Sequence, residues 1–481
     1  MKVSGIEKAT RVLLLLSLGF FPGLSALAQQ EPLADSESSE PGNIRVLHFE
    51  RPLSLEDLEA GRIILDSDPV RQSVELPAPP VSSYFVNLAS NDGAYLRRLR
   101  DIENYEQVLE QLEYSGGAWS VELAQELEAL GALLYEQGDF EESIEVLERA
   151  VHVNRVNYGL YSPQQIPLLQ RQIAGHIALE QWREADTLQQ YAFYAQNRAF
   201  GATDARMISV YQSLARWNLV LFFRQVDADP SPRLLQTYQL FRAAAGGVRA
   251  HFGPRDARYM SLLRDMAGAS DMLERYALPG SATPTTGNPE LRTVRTDYGG
   301  GDFGTRASSR DNSGEQALLR LIEQHKRRQD PSDEASLAQA EAMAALGDWY
   351  QMHNRRQAAQ RAYADAYRFL AEHERAETLL PRQFDRIVFL PTFSTFDEQK
   401  KQALGLSPHS GARQGYIDLS FNVSKYGRVS DLEVLAKEPA GVERVDVQVG
   451  SHLRAYTIRP RMKDGIPADS ERERYRFPFW Y

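Results

Sequence analysis

Apolar residues recur at helical spacing over much of this chain. Leu123, Leu127, Leu130 and Leu134 fall on one face of a helix, and Phe140, Ile144, Leu147 and Val151 fall on one face of a second. Gly138-Asp139 marks the turn between them. Gly131 sits inside the first helix, where glycine costs about 1 kcal/mol relative to alanine. Its missing side chain is accounted for if the two helices approach closely. The stretch "ALGALLYEQGDFEESIEVLERA" therefore predicts a tightly packed helix pair, and helical spacing dominates from Tyr95 to Leu278.

The pair recurs. Forty-two residues further on, Trp182 answers Phe140, Ala185 answers Ser143 and Ala192 answers Ala150. A diverged third pair spans 207–224 and 232–251, and a further helix spans 256–278. A glycine-rich break follows at 279–314. Helices resume over 315–378, where "ALGDWYQMHNRRQAAQRAYADAYRFL" places Gly347, Ala359 and Ala366 in the positions of Gly131, Ser143 and Ala150. Leu130, Gly131, Leu134, Gly138, Phe140, Ser143, Leu147 and Ala150, with Leu346, Gly347, Tyr350, Asn354, Ala359, Tyr363 and Ala366, form a pattern that resembles the tetratricopeptide repeat (TPR). In the second pair Ile173 fills the small-residue position. The period exceeds the family's by about one turn on each helix. The resemblance implies an α-helical solenoid whose concave face binds proteins or peptides. It places Gln125, Glu128, Tyr135 and Glu136 on that face in the first clear copy, and Glu341, Asp348 and Gln351 in the last.

The period ends near His373, and 379–481 has a different texture. "DRIVFLPTF" reads as a strand followed by a loop to Gln414. Ile417, Leu419, Phe421 and Val423 alternate with Asp418, Ser420, Asn422 and Ser424, the signature of a half-buried strand. Lys425-Tyr426-Gly427 turns the chain into a returning strand with Val429, Leu432 and Val434. An amphipathic helix over 442–455, weakened by Gly450, and two strands around Asp464-Gly465 complete the run. Gly415, Phe421, Val423, Gly427, Val429, Leu453, Arg459, Pro460, Asp464, Gly465, Pro467 and Phe477 give it a resemblance to the TonB carboxy-terminal domain. That resemblance covers about the last 70 residues. It implies a small α/β domain with an antiparallel sheet and one helix, a periplasmic setting in a Gram-negative cell envelope, and strand addition to a peptide.

The start of the chain changes the setting. Lys2, Lys8 and Arg11 precede the apolar run "VLLLLSLGFF", and Ala26-Leu27-Ala28 offers a small-x-small cleavage pattern before Gln29. Residues 1–28 read as a signal peptide, giving export to the periplasm. If retained, they would instead be an inner-membrane anchor. Residues 29–94 divide into an acidic, proline-punctuated leader and a mixed segment with no assigned role; within it "NIRVLHF" has the makings of a strand and "LSLEDLEAGRIIL" of a short helix. There is no cysteine, which excludes disulfides and thiolate chemistry, and the net charge of −11 argues against nucleic acid or anionic lipid as partner.

Candidate chemistry is sparse. The nine histidines have no metal-ligand spacing, no nucleophile elbow or phosphate loop appears, and "GGGDFG" lies within the break. Glu141, Glu142, Glu145 and Glu148 fall on the solvent side of a repeat helix. No cofactor and no catalytic residue is expected. The expected function is a non-catalytic periplasmic scaffold that meets envelope proteins, including outer-membrane receptor segments, through the TPR groove and the TonB-like domain, with membrane contact only through partners. The alternative is a TonB-type energy-transduction or transport-coupling protein, and an enzyme whose site assembles from distant residues stays open. Retention of residues 1–28 would favour the transducer.

Overall fold

The computed structural model describes residues 46–59, 93–276, 313–328, 330, 332–393, 396–406, 411–442 and 444–481. The expected signal segment with Ala28 and Gln29, the acidic leader and nearly all of the 279–314 break lie outside these residues. In chain order the elements are strands β1 (His48–Phe49) and β2 (Leu53–Ser54) and the short helix α1 (Leu55–Glu59). Helices follow: α2 (Gly93–Gly116), α3 (Val121–Gln137), α4 (Phe140–Tyr158), α5 (Ile166–Ala178), α6 (Trp182–Phe200), α7 (Met207–Phe223), α8 (Ser231–Phe252) and α9 (Ala257–Tyr276). Then come α10 (Ser313–Arg328), α11 (Asp333–Met352), α12 (Arg356–Ala371) and α13 (Ala376–Phe384). The remainder is β3 (Val388–Phe389), α14 (Asp397–Ala403), β4 (Gln414–Val423), β5 (Val429–Glu438), α15 (Val445–Ala455), β6 (Ile458–Arg459), β7 (Met462–Lys463), β8 (Ile466–Pro467) and β9 (Ser470–Trp480).

From α2 to α13 each helix packs on the one before it and the one after it, the arrangement of a helical-repeat solenoid. Local chemistry sets the helix ends. Ser120 caps α3 by accepting the Leu123 amide at 3.3 Å, and Ser332 caps α11 by accepting the Ala335 amide at 3.2 Å. α3 stops at Gly138, whose φ of 97° is open to glycine, and whose amide returns to the carbonyls of Leu134 and Tyr135. The small residues do what their spacing predicts. A Cβ at Gly131 would lie 2.7 Å from Leu147 Cγ, and Ser143 Oγ donates to the Gly131 carbonyl at 2.6 Å inside the same pair. In the last copy the ring of Tyr363 occupies the place of a side chain at Gly347.

β4, β5 and β9 form an antiparallel sheet with β1 and β2, in the order β1-β9-β4-β5, with β2 also on β9. Ile417, Leu419, Phe421 and Val423 are buried on the face covered by Val445, Val449 and Leu453 of α15. The opposite-facing Asp418, also buried, is held by Nε and Nη2 of Arg476, at 2.8 and 2.9 Å. The outer side of β9 is covered by the beginning of the described chain: His48 pairs with Trp480, Phe49 with Phe479 and Leu53 with Arg476. Residues 46–59, given no role above, thus complete the C-terminal sheet.

Two further differences have local causes. The stretch expected as a loop up to Gln414 contains α14. Its sequence DEQKKQA buries only Ala403, so no apolar period announces it, yet acidic residues in its first turn and lysines in its last suit the helix dipole. Helices also continue through α13, across the expected boundary at 378/379.

The crowding at Gly347 makes a stability prediction. Gly347→Val lowers the unfolding free energy by about 1–3 kcal/mol, because the Tyr363 ring is tethered and cannot yield. Gly93→Ala, with nothing near the added carbon, stays within about 0.5 kcal/mol. Urea midpoints of the two variants check both values.

Candidate docking faces

Two sets of positions carry the candidate function, and the structure gives them different surroundings. In the first copy, Gln125 and Glu136 are exposed on α3, and Glu128 and Tyr135 are half-buried. Glu128 Oε1 accepts from Arg171 Nε of α5 at 3.3 Å. This ion pair links the first helices of two successive pairs, so α3 and α5 lie side by side along one face. Both partners are exposed enough that it adds at most about 1 kcal/mol. Tyr135 packs edge-on against Phe140 with ring centroids 5.1 Å apart, and burial raises its hydroxyl pKa.

The last copy is occupied by the chain itself. Asp348 is 0% exposed and faces Arg459 of β6, itself 2% exposed. Arg459 Nε donates to Asp348 Oδ1 at 2.7 Å, and Nη2 donates to Oδ2. The Tyr363 hydroxyl donates to Oδ1 at 2.8 Å and the Thr392 hydroxyl to Oδ2 at 2.6 Å. Four donors therefore satisfy one carboxylate, which is what makes a buried charge tolerable. Burial alone would lower the Arg459 pKa, but the Asp348 charge and hydrogen bonds outweigh it and hold the guanidinium protonated. Burial, then the Asp348 charge, pushes the Tyr363 hydroxyl well above its usual range.

Gln351 extends the contact. Its Nε2 donates to the Ile458 carbonyl at 2.7 Å, and its Oε1, 3.0 Å from the Tyr363 oxygen, shares the hydroxyl hydrogen with Asp348 Oδ1. Gly427, in the β4–β5 turn, has a φ of 72°, and a side chain there would overlap the Ile458 carbonyl and Gln351. Glu341 stays exposed, close enough for its charge to act on Arg459. Of the four positions expected on the concave face of the first copy, Gln125 and Glu136 are thus exposed and Glu128 and Tyr135 half-buried, while Asp348 and Gln351 hold the chain's own Arg459 and Ile458.

A second seam strengthens this attachment. Phe393 and Phe396 enter the main helical core; Phe396 stacks on Phe241 with rings nearly parallel at 6.0 Å, and Phe393 lies 5.7 Å from the Trp349 ring. α14 rests on α7, and Arg224 Nη1 reaches the Ala403 carbonyl at 3.4 Å. Thr392, Phe393 and Phe396 were not singled out in the sequence. Thr392 and Phe393 lie in "DRIVFLPTF", expected as a strand, but only Val388–Phe389 is one, and the residues after it turn into the helical core instead.

The histidines divide by environment. His48 is 4% exposed, and burial, with the charges of Lys400 and Lys401, lowers its pKa to about 3 despite the opposing Glu50. Burial and Lys400 lower His452 to about 4, and burial with nearby arginines lowers His325 to about 4. Among the described residues no cluster of three or more histidines and carboxylates could hold a metal ion, and no helix is long and apolar enough to cross a membrane.

No protein-family model and no curated protein matches the chain. Among solved structures, BtubC (BKLC) from P. vanneervenii is similar at 12% identity and a TM-score of 0.29, over 58% of this chain and 92% of that one. A kinesin light chain protein of Podosopora anserina with nearly identical TPR-like repeats is similar at 12% identity and a TM-score of 0.31, over 53% and 99%. Values this low transfer no function.

Two predictions follow from the buried groups. Asp348→Ala strands the Arg459 charge and costs about 3–5 kcal/mol, whereas Asp348→Leu combined with Arg459→Met recovers most of that loss; urea unfolding of the single and double variants distinguishes them. His48, His325 and His452 have folded pKa values below the unfolded one, so the stability of their neutral forms is present above about pH 6.5 and is lost as pH falls toward about 4 for His325 and His452 and about 3 for His48. His452→Phe shallows that acid-side decline in unfolding midpoints measured across this range.

Proposed function

We propose that the protein is a non-catalytic scaffold that holds an extended segment of a partner protein on the inner face of its first helix pairs. The observation that carries this reading is the occupancy of the last pair. There, residues at the ligand-facing positions grip an extended piece of chain by one arginine side chain and one backbone carbonyl. Gln125, Glu128, Tyr135 and Glu136 offer acidic, amide and aromatic groups of the same kind on the first pair. The preferred ligand is therefore an extended, basic segment. The signal-like N-terminus supports a periplasmic setting and an envelope protein as the source of that segment.

The TonB-like reading of residues 379–481 rests on the strand, turn and helix order and on Gly427, Arg459 and Gly465. One feature weighs against a transducer that works by strand addition at β9: that edge already carries β1 and β2. The outer edge of β5 has no strand partner among the described residues, and a second partner strand fits there. The C-terminal region thus acts as a fixed end of the scaffold that offers one open sheet edge.

In-cell crosslinking with a photoreactive residue at position 125 tests the reading. A discrete envelope protein captured there, and lost in a Glu128→Arg, Glu136→Arg variant, is the expected result. Capture that survives this reversal unchanged would remove the first pair as the docking face.

A further inference from the structure

A cavity of about 150 Å³ lies where the N-terminal strand, the helical array and the C-terminal region meet. His48 and Phe49 of β1 form one wall, Asp271 and Met272 of α9 another, and Phe389, Lys400 and Tyr456 of the C-terminal region a third. A space of this size accepts an apolar group about as large as benzene.

Its polar lining is incomplete as it stands. Among the described residues, Nε2 of His48 is buried without a hydrogen-bond partner, and so is Oδ1 of Asp271, a residue 1% exposed. The Asp271 carboxylate is ion-paired with Arg275 through its other oxygen, and His353 Nε2 lies 3.9 Å from Oδ1. Lys400 has no ion-pair or hydrogen-bond partner among the described residues, although Asp397 is close enough to act on its charge. The neighbouring Lys401 is neutralised by Glu50 at 3.0 Å, and Glu50 also accepts from Trp480 Nε1 at 2.8 Å. Lys400 is therefore the unmatched cation on this side.

These groups ask for a ligand with charge of both signs. A simple anion would satisfy Lys400 and His48 but would leave Asp271 Oδ1 without a donor. A simple cation would meet Lys400. A zwitterion with an apolar body meets all three, and buried polar groups are stable only when paired. His48 is neutral here, held so by burial and the lysines, so its Nε2–H tautomer donates to a carboxylate.

We propose that the cavity binds a free α-amino acid with a medium-sized apolar side chain. Its carboxylate lies on Lys400 and His48, its ammonium group on Asp271 Oδ1, and its side chain among Phe49, Phe389 and Tyr456. The site is separate from the α3–α5 face, and its three walls come from parts of the chain far apart in sequence. Bound ligand therefore ties the N-terminal strand to α9 and stabilises the folded chain by mass action.

The test is calorimetric titration of the full chain with L-leucine, leucine amide and 4-methylpentanoate, alongside thermal unfolding with each probe. L-leucine is expected to bind saturably and raise Tm, with each of the other two at least about tenfold weaker because it lacks one charged end. Lys400→Met is expected to weaken L-leucine about tenfold while leaving the unliganded circular dichroism spectrum unchanged, and Asp271→Asn to do the same as an independent variant. Absence of heat and of any Tm shift at about 10 mM of every probe would overturn the proposal. So would 4-methylpentanoate binding as tightly as L-leucine, or unweakened binding to both variants.

Discussion

One buried ion pair joins the region C-terminal to the repeats to the helical array. Asp348 comes from the helical array and Arg459 from the strand that follows α15, and both lie almost wholly out of water. Removing two charges from water costs several kcal/mol for each, and their attraction repays this only with full hydrogen bonding. Tyr363 and Thr392 supply the rest. A docking shifted by one residue would leave a bare carboxylate and a bare guanidinium in an apolar interior. The pair therefore acts mainly by penalising wrong arrangements, and the apolar seam of Phe393 and Phe396 contributes the bulk of the burial.

That constraint changes what the repeat positions mean. In a solenoid of helix pairs, the inner face of the last pair is where stacking ends and apolar or polar groups are left over. Here the chain fills that place with its own strand: Gln351 takes a backbone carbonyl, Asp348 takes an arginine, and Gly427 makes room for the approach. The C-terminal region is thus the terminal cap of the array as well as a small sheet of its own. The opposite end, at α3, keeps its equivalent side chains at the surface.

The parts legible in the sequence are those set by local spacing. Gly131 against Leu147, Ser143 on the Gly131 carbonyl and Gly347 under Tyr363 are all contacts between helices a short turn apart, so periodicity and small residues disclose them. The alternation from Ile417 to Val423 discloses its strand for the same reason. Asp348 was picked out by its place in the motif, but its partner lies 111 residues away and no period connects the two. α14 was hidden because a helix that buries one alanine has no apolar stripe. The cavity was hidden because its walls are supplied by three segments that share no pattern.

The longest of these connections bears on how the molecule is put together. β1 pairs with β9, Trp480 Nε1 reaches Glu50, and Arg474 reaches Glu59 at 2.8 Å, across more than 400 residues of chain. Closing so long a loop costs only about 0.6 kcal/mol more than closing one half its length, so the pairing is thermodynamically undemanding once its template exists. Its template is β9, the last strand of the chain, and β9 is positioned by β4 and by the region that Asp348 anchors. β1 therefore depends on the C-terminal sheet for its pairing. His48 and Phe49 belong to β1, so one wall of the cavity is also an edge of the sheet.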